Sequence, residues 1–236
     1  VVKRALNLDI SKEDLGGPNV HLKSGVINNL AETEEEAFDQ IKKFLSYVPN
    51  NAWSYPEKLN SNDKEDRCED LLIDMIPKDR RKPYNMRKII DAVLDRNDQD
   101  SNFFEIGKNF GSSLITVLGR LNGNTVGVIA NDCMFYAGAM TSEASQKLRR
   151  FIDFVNTFNV PVLSFVDEPG FMIGPDSEKA GTIRHGTAAI SSLMQSKVPW
   201  ASVIVRKVYG VAGLAHFAPE GFVLSLPSAE NGALPV

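Results

Sequence analysis

Residues 160–214 decide the fold, because two similar segments follow one another there. Each begins with an apolar run, VPVLSFV at 160–166 and WASVIVR at 200–206, and continues into a turn that contains glycine. A helix-like run at 181–196 separates the two segments. Continuous apolar runs bounded by Gly or Pro and alternating with helices predict strands covered on both faces of an α/β sheet. Both turns then lie at strand ends, where such sheets bind ligands.

The sequence before residue 160 predicts further strands of the sheet and the helices that cover it. Two strand-like runs at 114–121 and 125–130 are separated by Asn122-Gly123-Asn124, which predicts a β-hairpin. Residues 143–158 place apolar side chains on one face and predict the helix that leads into residue 160. Amphipathic patterns predict further helices at 32–48, 71–76 and 85–94. We also expect a short helix at Phe103-Phe104 and a strand at Val1-Val2.

Composition sets the outer limits on function. With 236 residues, 43% of them hydrophobic, the chain can bury a substantial core. The net charge of −4 gives no electrostatic case for nucleic acid, and no apolar run reaches the ~18 residues that cross a membrane. Cys68 and Cys133 form no disulfide framework or metal-spaced cluster, so we predict two reduced thiols. A polar stretch at 51–70 predicts a linker between two packed units.

Several segments in order resemble a known family. They are GVIAN (127–131), SQK (145–147), RFI (150–152), FNVP (158–161), DEPGF (167–171), GTIRHG (181–186) and RKVYG (206–210). Together they resemble the carboxyltransferase (β) subunit of biotin-dependent acyl-CoA carboxylases, of the propionyl-CoA and methylcrotonyl-CoA carboxylase type. Leu15-Gly16-Gly17, His21 and Ser24-Gly25-Val26 resemble the end of that family's first half. The likeness therefore covers almost the whole chain.

The resemblance implies an α/β fold of the crotonase (ClpP/crotonase) type, built from repeated ββα units. Residues 1–50 would be the end of an N-terminal carboxyltransferase domain, and residues 71–236 an incomplete C-terminal one. The implied reaction moves a carboxyl group from N1-carboxybiotin to the α-carbon of a short-chain acyl-CoA. Biotin would be carried on a partner subunit or domain, and no metal is expected. A chain of this kind would be part of a protein about twice as long and inactive as an isolated fragment.

The resemblance also assigns site residues. The backbone amides of Gly210 and Val211 would hold the biotin ureido oxygen, and Pro169, Gly170, Phe171 and Tyr209 would form the biotin pocket. Independently of the family, a strand that ends at a glycine before small residues can present free amides to an anion. The family commonly has a second glycine where this chain has Val211.

The acyl group would be selected at Leu214. In the family, the position four residues after the first glycine of this turn helps to choose the acyl group, and propionyl-preferring members carry Asp there. An apolar side chain at that position predicts tolerance of acyl groups beyond propionyl. The alternative is that Leu214 faces the core.

Other titratable residues have simpler interpretations. Asp167 and Glu168 are adjacent at a strand end, so they are expected to point in different directions and not to act as an acid/base pair, with Asp167 accepting turn amides. His185 is expected to pack in the core or on a helix, and His21 to be structural. His216 has no second metal ligand at a suitable spacing, although its place after the predicted amide pair leaves a pocket role open.

Function and partners follow from the same resemblance. The site would form between the first domain of one subunit and the second domain of another, in a homo-oligomer such as a dimer-based hexamer that works with a biotin carboxylase and biotin carboxyl carrier. We expect the helices at 143–158 and 181–196 to expose apolar surface for that assembly. The compartment would be the cytoplasm, or the mitochondrial matrix in a eukaryote. Two alternatives stay open: a biotin-dependent acyl-CoA decarboxylase subunit, and a non-catalytic scaffold of the same fold.

Overall fold

The structure is a computed structural model that describes residues 1–64, 66–96 and 102–233. Six helices come first in these residues: α1 Val2–Leu6, α2 Lys12–Gly16, α3 Pro18–Ser24, α4 Glu34–Leu45, α5 Leu71–Met75 and α6 Met86–Val93. The sheet and its cover follow: β1 Phe104–Glu105, β2 Leu114–Leu121, β3 Asn124–Asn131, α7 Ser142–Thr157, β4 Val162–Glu168, α8 Pro175–Lys179, α9 Thr182–Met194, β5 Trp200–Tyr209, β6 Phe222–Ser225 and β7 Glu230–Gly232. Short 3-10 helices span Tyr136–Gly138 and Val211–His216.

The seven strands form one mixed sheet in the order β1-β2-β3-β4-β5-β6, with β7 also pairing with β5. The pairs β1-β2 and β2-β3 are antiparallel, and the other pairs are parallel. The predicted hairpin is confirmed, and Asn122 and Gly123 turn it with φ of 48° and 75°. The carboxyl ends of β3, β4 and β5 lie side by side at one edge of the sheet. Both predicted turns therefore meet at that edge.

Two apolar layers cover the sheet. Helices α7 and α9 pack on one face, where Leu148, Ile152 and Leu193 are fully buried. Helix α6 packs on the other face through Ile89 and Ile90. The α/β prediction is confirmed, because apolar runs covered on both faces are what a parallel sheet requires.

Two local predictions were wrong. Phe103-Phe104 was expected in a helix, but Phe104 lies in β1, opposite Leu118 of β2, because pairing with the sheet edge overrides such a short pattern. Val1-Val2 was expected in a strand, but Val2 begins α1, in which the Ala5 amide donates to the Val1 carbonyl at 3.0 Å. That local bond satisfies the backbone without a neighbouring strand.

The second segment differs from its prediction at its end. Strand β5 continues to Tyr209, three residues beyond the predicted run, because Lys207–Tyr209 pairs with β7. The helix expected from Leu214 onward is a 3-10 helix that starts at Val211 and ends at His216.

The domain boundaries stay a prediction. The described residues of the 51–70 linker contain no helix or strand, although the Arg67 guanidinium donates to the Ala92 carbonyl at 2.7 Å. Tyr47, just after α4, is 1% exposed and packs into the core beside α7. The first 50 residues therefore contact the larger unit directly. Residues 97–101 and 234–236 of the predicted C-terminal domain lie outside the described residues.

Candidate functional site

The turn after β5 is the centre of the candidate site. Gly210 has φ 63° and ψ −162°, a combination that side-chain-bearing residues adopt only with strain. Its amide donates to the Gly232 carbonyl at 3.1 Å, so the Gly210 N–H is already engaged. In the described part of the chain, no acceptor is hydrogen-bonded to the amides of Val211 or Ala212. Gly210 thus supplies the conformation of the turn, and the next two residues supply its unpaired donors.

The 3-10 helix that follows has one exposed face and one buried face. The side chains of Val211 and Leu214 are 62% and 51% exposed, whereas Ala212, Ala215 and His216 are buried. The alternative that Leu214 faces the core is therefore wrong. Both exposed side chains lie at the carboxyl edge of the sheet, next to the unpaired amides.

Two backbone hydrogen bonds of Gly170 fix the conformation of the turn after β4. The Gly170 amide donates to Glu168 Oε1 at 2.9 Å, and its carbonyl accepts from the Met140 amide at 3.0 Å. Gly170 and Gly174 have φ of 126° and 117°, and a Cβ added at either would meet no atom within 4 Å. These two glycines therefore border open space.

Phe171 and Pro169 face different parts of the structure. A Cβ added at Gly186 of α9 would overlap the Phe171 ring, so this ring packs tightly against the helix. Pro169 and Tyr209 instead line one cavity of about 450 Å³. The Tyr209 hydroxyl donates to Glu230 Oε2 at 2.8 Å, and this bond, with Arg80, holds the pKa of Glu230 below its usual range. Of the residues predicted to form the biotin pocket, Phe171 thus packs on α9, whereas Pro169 and Tyr209 line the cavity.

Asp167 forms a buried ion pair. The Arg206 guanidinium donates to Asp167 Oδ2 at 2.9 Å, and both side chains are at most 4% exposed. The Tyr84 hydroxyl and the Lys207 amide also donate to Asp167, at 3.0 and 3.1 Å. Burial and the charge of Asp167 raise the pKa of Tyr84, which keeps that hydroxyl a donor. The prediction that Asp167 accepts turn amides was wrong, because the one amide that donates to it among the described residues, that of Lys207, belongs to β5. Its main partner is Arg206.

Glu168 points the other way, as predicted for adjacent carboxylates. Its Oε2 accepts from Asn131 Nδ2 at 2.9 Å and lies 3.4 Å from His216 Nε2, while His216 Nδ1 lies 2.9 Å from Ser164 Oγ. Glu168, His216 and Ser164 are all fully buried. Neither carboxylate is therefore placed for acid/base work on a ligand. His216 instead connects β4 to the end of the 3-10 helix.

Three elements of the site were not predicted from the sequence. The first is the unpaired amide of Ala212. The second is the side chain of Asn131, which donates to both Glu168 and the Gly138 carbonyl. The third is the contact between His216 and Glu168. Asn131 could have been found, because it directly follows the strand predicted at 125–130, at the edge of the sheet where both turns lie. His185 is half-buried on α9, and His21 has a buried Nδ1 atom with no hydrogen-bond partner in the described residues.

The described residues contain neither a metal-binding cluster nor a membrane-spanning helix. No group of three or more His, Cys, Asp or Glu side chains among them is arranged to hold a metal ion. No helix in the same residues is long and apolar enough to cross a bilayer.

Comparison with known proteins decides the family. The model of the carboxyl transferase domain matches residues 1–235. The chain belongs to the carboxyl transferase domain family. The solved structure of the transcarboxylase 12S hexamer, with hydrolysed methylmalonyl-coenzyme A bound, has a TM-score of 0.92 and 32% identity over 99% of this chain and 45% of that chain. The carboxyl transferase fold is accordingly α/β and crotonase-like, as predicted.

Two curated relatives are named for different activities. A propionyl-CoA carboxylase carboxyltransferase subunit from Haloferax mediterranei is 38% identical over 213 residues, covering 90% of this chain and 40% of that protein. A methylmalonyl-CoA decarboxylase subunit alpha from Veillonella parvula is 34% identical over 216 residues, covering 91% of this chain and 42% of that protein. This carboxyl transferase chain therefore spans about two fifths of the length of the curated relatives it matches.

Proposed function

We propose that this chain supplies the biotin-side half of a carboxyltransferase site, in a protein that moves a carboxyl group from N1-carboxybiotin to the α-carbon of a short-chain acyl-CoA. One observation carries the proposal. The turn after β5 carries two adjacent amides, those of the exposed Val211 and the buried Ala212, that have no acceptor in the described residues, at the carboxyl edge of the sheet. The family membership and the propionyl-CoA carboxylase relative support the same reaction.

The amides meet a specific electrostatic demand. When a carboxyl group leaves the ureido nitrogen, negative charge develops on the ureido oxygen, and fixed N–H donors stabilise that charge without reorganising. Removing one such donor typically costs ~3 kcal/mol of transition-state stabilisation. Because Gly210 already bonds to Gly232, the pair that can serve is Val211 and Ala212, one residue later than the sequence suggested.

The residues present fit a biotin group. Carboxybiotin, carried on a partner subunit or domain, supplies the carboxyl group. The amides of Val211 and Ala212 would hold its ureido oxygen, and the open space beside Gly170 gives room for its ring. Pro169, Phe171 and Tyr209 would wall the approach. Asp167 and Glu168 are fully buried in their own hydrogen-bond networks, so neither carboxylate is placed to take the α-proton.

Decarboxylation is a second candidate, favoured by the Veillonella parvula relative. The same oxygen becomes negative in either direction, so the same donors would serve both. Release of CO2 from a carboxylated acyl-CoA, compared with ATP-dependent carboxylation of the parent acyl-CoA, distinguishes the two candidates. A non-catalytic scaffold would do neither and would not bind carboxybiotin.

The deciding experiment removes one amide. In the full-length protein with its biotin-carrying partner, Val211→Pro should lower kcat for carboxyl transfer about 100-fold to 1,000-fold, because proline has no N–H. Val211→Ala keeps the N–H and should retain most activity. Equal activity in the Pro and Ala variants would reject the amide assignment, and an inactive wild type would reject the reaction.

We further propose a homo-oligomer in the cytoplasm, or in the mitochondrial matrix of a eukaryote. The expected apolar surface is only partly present: Leu148, Phe151 and Ile152 of α7 are buried within this chain, whereas Ile183 and Met194 of α9 are 60% and 42% exposed. The transcarboxylase relative is a hexamer. A monodisperse monomer of the full-length protein at micromolar concentration would count against assembly.

A further inference from the structure

A second feature lies beside the turn after β5 and has a different chemistry. The cavity of about 450 Å³ that Pro169 and Tyr209 line is also lined by four cationic side chains, Arg80, Arg81, Arg206 and Lys207. These come from the loop before α6 and from the end of β5. Two segments far apart in sequence therefore bring positive charge to one concave surface.

The nearby carboxylates neutralise only half of this charge. Asp167 pairs with Arg206, and Glu230 pairs with Arg80 at 3.0 Å. Asp79 accepts the backbone amide of Arg81 and does not line the cavity. In the described residues, neither the Arg81 guanidinium nor the Lys207 ammonium forms a side-chain hydrogen bond or ion pair. The four cations thus exceed the two carboxylates by two positive charges, although Lys207 also acts on Glu230 and helps to lower the pKa of that carboxyl.

Arg206 gives the cavity a fixed donor. Its side chain is 4% exposed, and the Tyr84 ring stacks under it with 4.7 Å between Arg206 Cζ and the ring centroid. Of the five N–H groups of a guanidinium, Nε–H bonds to Asp167, one on Nη2 bonds to Asp167, and one on Nη1 bonds to the Lys82 carbonyl. The other two have no acceptor in the described part of the chain. Each of the three guanidinium nitrogens thus has a partner, and the two remaining N–H groups can donate to an anion in the cavity.

We propose that this cavity binds a phosphate group carried by a small molecule. Guanidinium groups match tetrahedral oxyanions with two parallel hydrogen bonds, and the excess of two positive charges suits a dianion. The cavity is larger than a phosphate group, and Pro83, Pro169 and Tyr209 give it rigid, largely apolar walls for the body of the ligand. Two sources of phosphate fit this chemistry. The first is a coenzyme A ester, and assigning the site to it rests on the proposed function. The second is free phosphate or a nucleotide, and that assignment does not rest on the proposed function.

Binding is testable without turnover. Calorimetric titration of the full-length protein with inorganic phosphate, with coenzyme A and with pantetheine should show binding of the first two. The double variant Arg81→Gln/Lys207→Gln should weaken phosphate binding at least tenfold, because it removes the excess of two positive charges. Arg206 is left in place, since its removal would leave Asp167 buried without a counter-charge.

Matched variants keep the test decisive. Arg81→Lys/Lys207→Arg retains both charges and should bind phosphate within a few-fold of wild type. Arg4→Gln/Lys12→Gln removes two exposed charges outside the cavity and should change nothing. Phosphate binding that is absent, or that survives Arg81→Gln/Lys207→Gln, overturns the proposal. If phosphate binds and coenzyme A binds no more tightly than pantetheine, the site is assigned to free phosphate or a nucleotide. This assignment does not depend on the outcome of the carboxyl-transfer assay.

Discussion

His216 Nε2 lies 3.4 Å from Glu168 Oε2, and this contact joins the two turns of the candidate site. Glu168 ends β4 and holds the Gly170 amide at 2.9 Å, while His216 ends the 3-10 helix that begins with Val211. On its other side His216 reaches Ser164, inside β4. The position of the unpaired amides is thereby fixed to the strand that carries the first turn.

We expect His216→Leu to destabilise the fold. The change leaves Ser164 Oγ without its imidazole partner and removes one contact of the buried Glu168, and each unsatisfied buried polar group costs about 1–3 kcal/mol. Glu168 keeps its bonds from Asn131 and Gly170, so the free energy of unfolding, measured by urea denaturation, should fall by about 1–3 kcal/mol, the cost of the one unsatisfied hydroxyl. Ser145→Ala, which deletes another fully buried hydroxyl, one that bonds to the Thr141 carbonyl and to neither turn, serves as the control.

Hydrogen exchange of His216→Leu tests whether His216 positions the two turns or only packs locally. Amide hydrogen exchange of segments 169–174 and 209–217 should rise together in His216→Leu, because both turns lose a shared anchor. Ser145→Ala should leave both segments protected as in wild type. If His216→Leu loosens neither turn, the contact with Glu168 does not position the site.

Gly210 provides a second prediction. Because its φ and ψ lie in a region that only glycine occupies without strain, Gly210→Ala should cost about 1–3 kcal/mol of stability or shift the turn. The added Cβ itself would meet only the Ala233 carbonyl oxygen, at 3.5 Å, so conformation and not crowding is the cause. Gly210→Pro also removes the bond to Gly232 and should abolish carboxyl transfer while circular dichroism shows largely unchanged helix content. Carboxyl transfer at the wild-type rate in both variants would show that the turn is not part of the site.

The sequence predicted most strands of the sheet but few of the hydrogen bonds and contacts that build the candidate site. Long periodic segments such as α7 and the hairpin at Asn122-Gly123 were found because local pattern and tertiary burial agree there. The strand at Phe104 was missed because only its partner strand determines it. Likewise, the bond between Gly210 and Gly232 depends on β7, twenty-two residues later, so no local pattern could show which amides of the turn remain unpaired. The Glu168–His216 contact is non-local in the same way.

Lys147 gives a prediction about pH. It is 6% exposed, its ammonium donates to the Leu114 carbonyl at 2.6 Å, and burial lowers its pKa from 10.5 to about 8. Between those two values the unfolded chain binds more protons than the folded one, so the contribution of Lys147 to the free energy of unfolding rises with pH. At pH 7 the charged form is disfavoured by roughly 3 kcal/mol.

Lys147→Met should therefore be more stable than wild type at pH 7, and the difference should shrink as the pH rises from 8 to 10. Urea denaturation of both proteins across this range isolates the lysine contribution, because the tyrosines and Cys133 are common to both. Lys88→Met, an exposed lysine on α6, is the control and should show no such trend. A difference between Lys147→Met and wild type that stays constant with pH would contradict the lowered pKa.

The last prediction concerns the acyl group and Leu214. This side chain is 51% exposed beside the unpaired amides, so an apolar acyl chain can bury against it with ~25 cal/mol per Å² of favourable free energy. Leu214→Asp replaces that surface with a charge that must be desolvated when a longer acyl group binds, and so should shift kcat/KM towards shorter acyl groups. One methylene is worth only ~1–3 kcal/mol, so the change should be graded across acetyl-, propionyl- and butyryl-CoA. Leu15→Asp, which alters an equally exposed leucine on α2, should leave the ranking unchanged. A ranking that Leu214→Asp also leaves unchanged would mean that Leu214 does not contact the acyl chain.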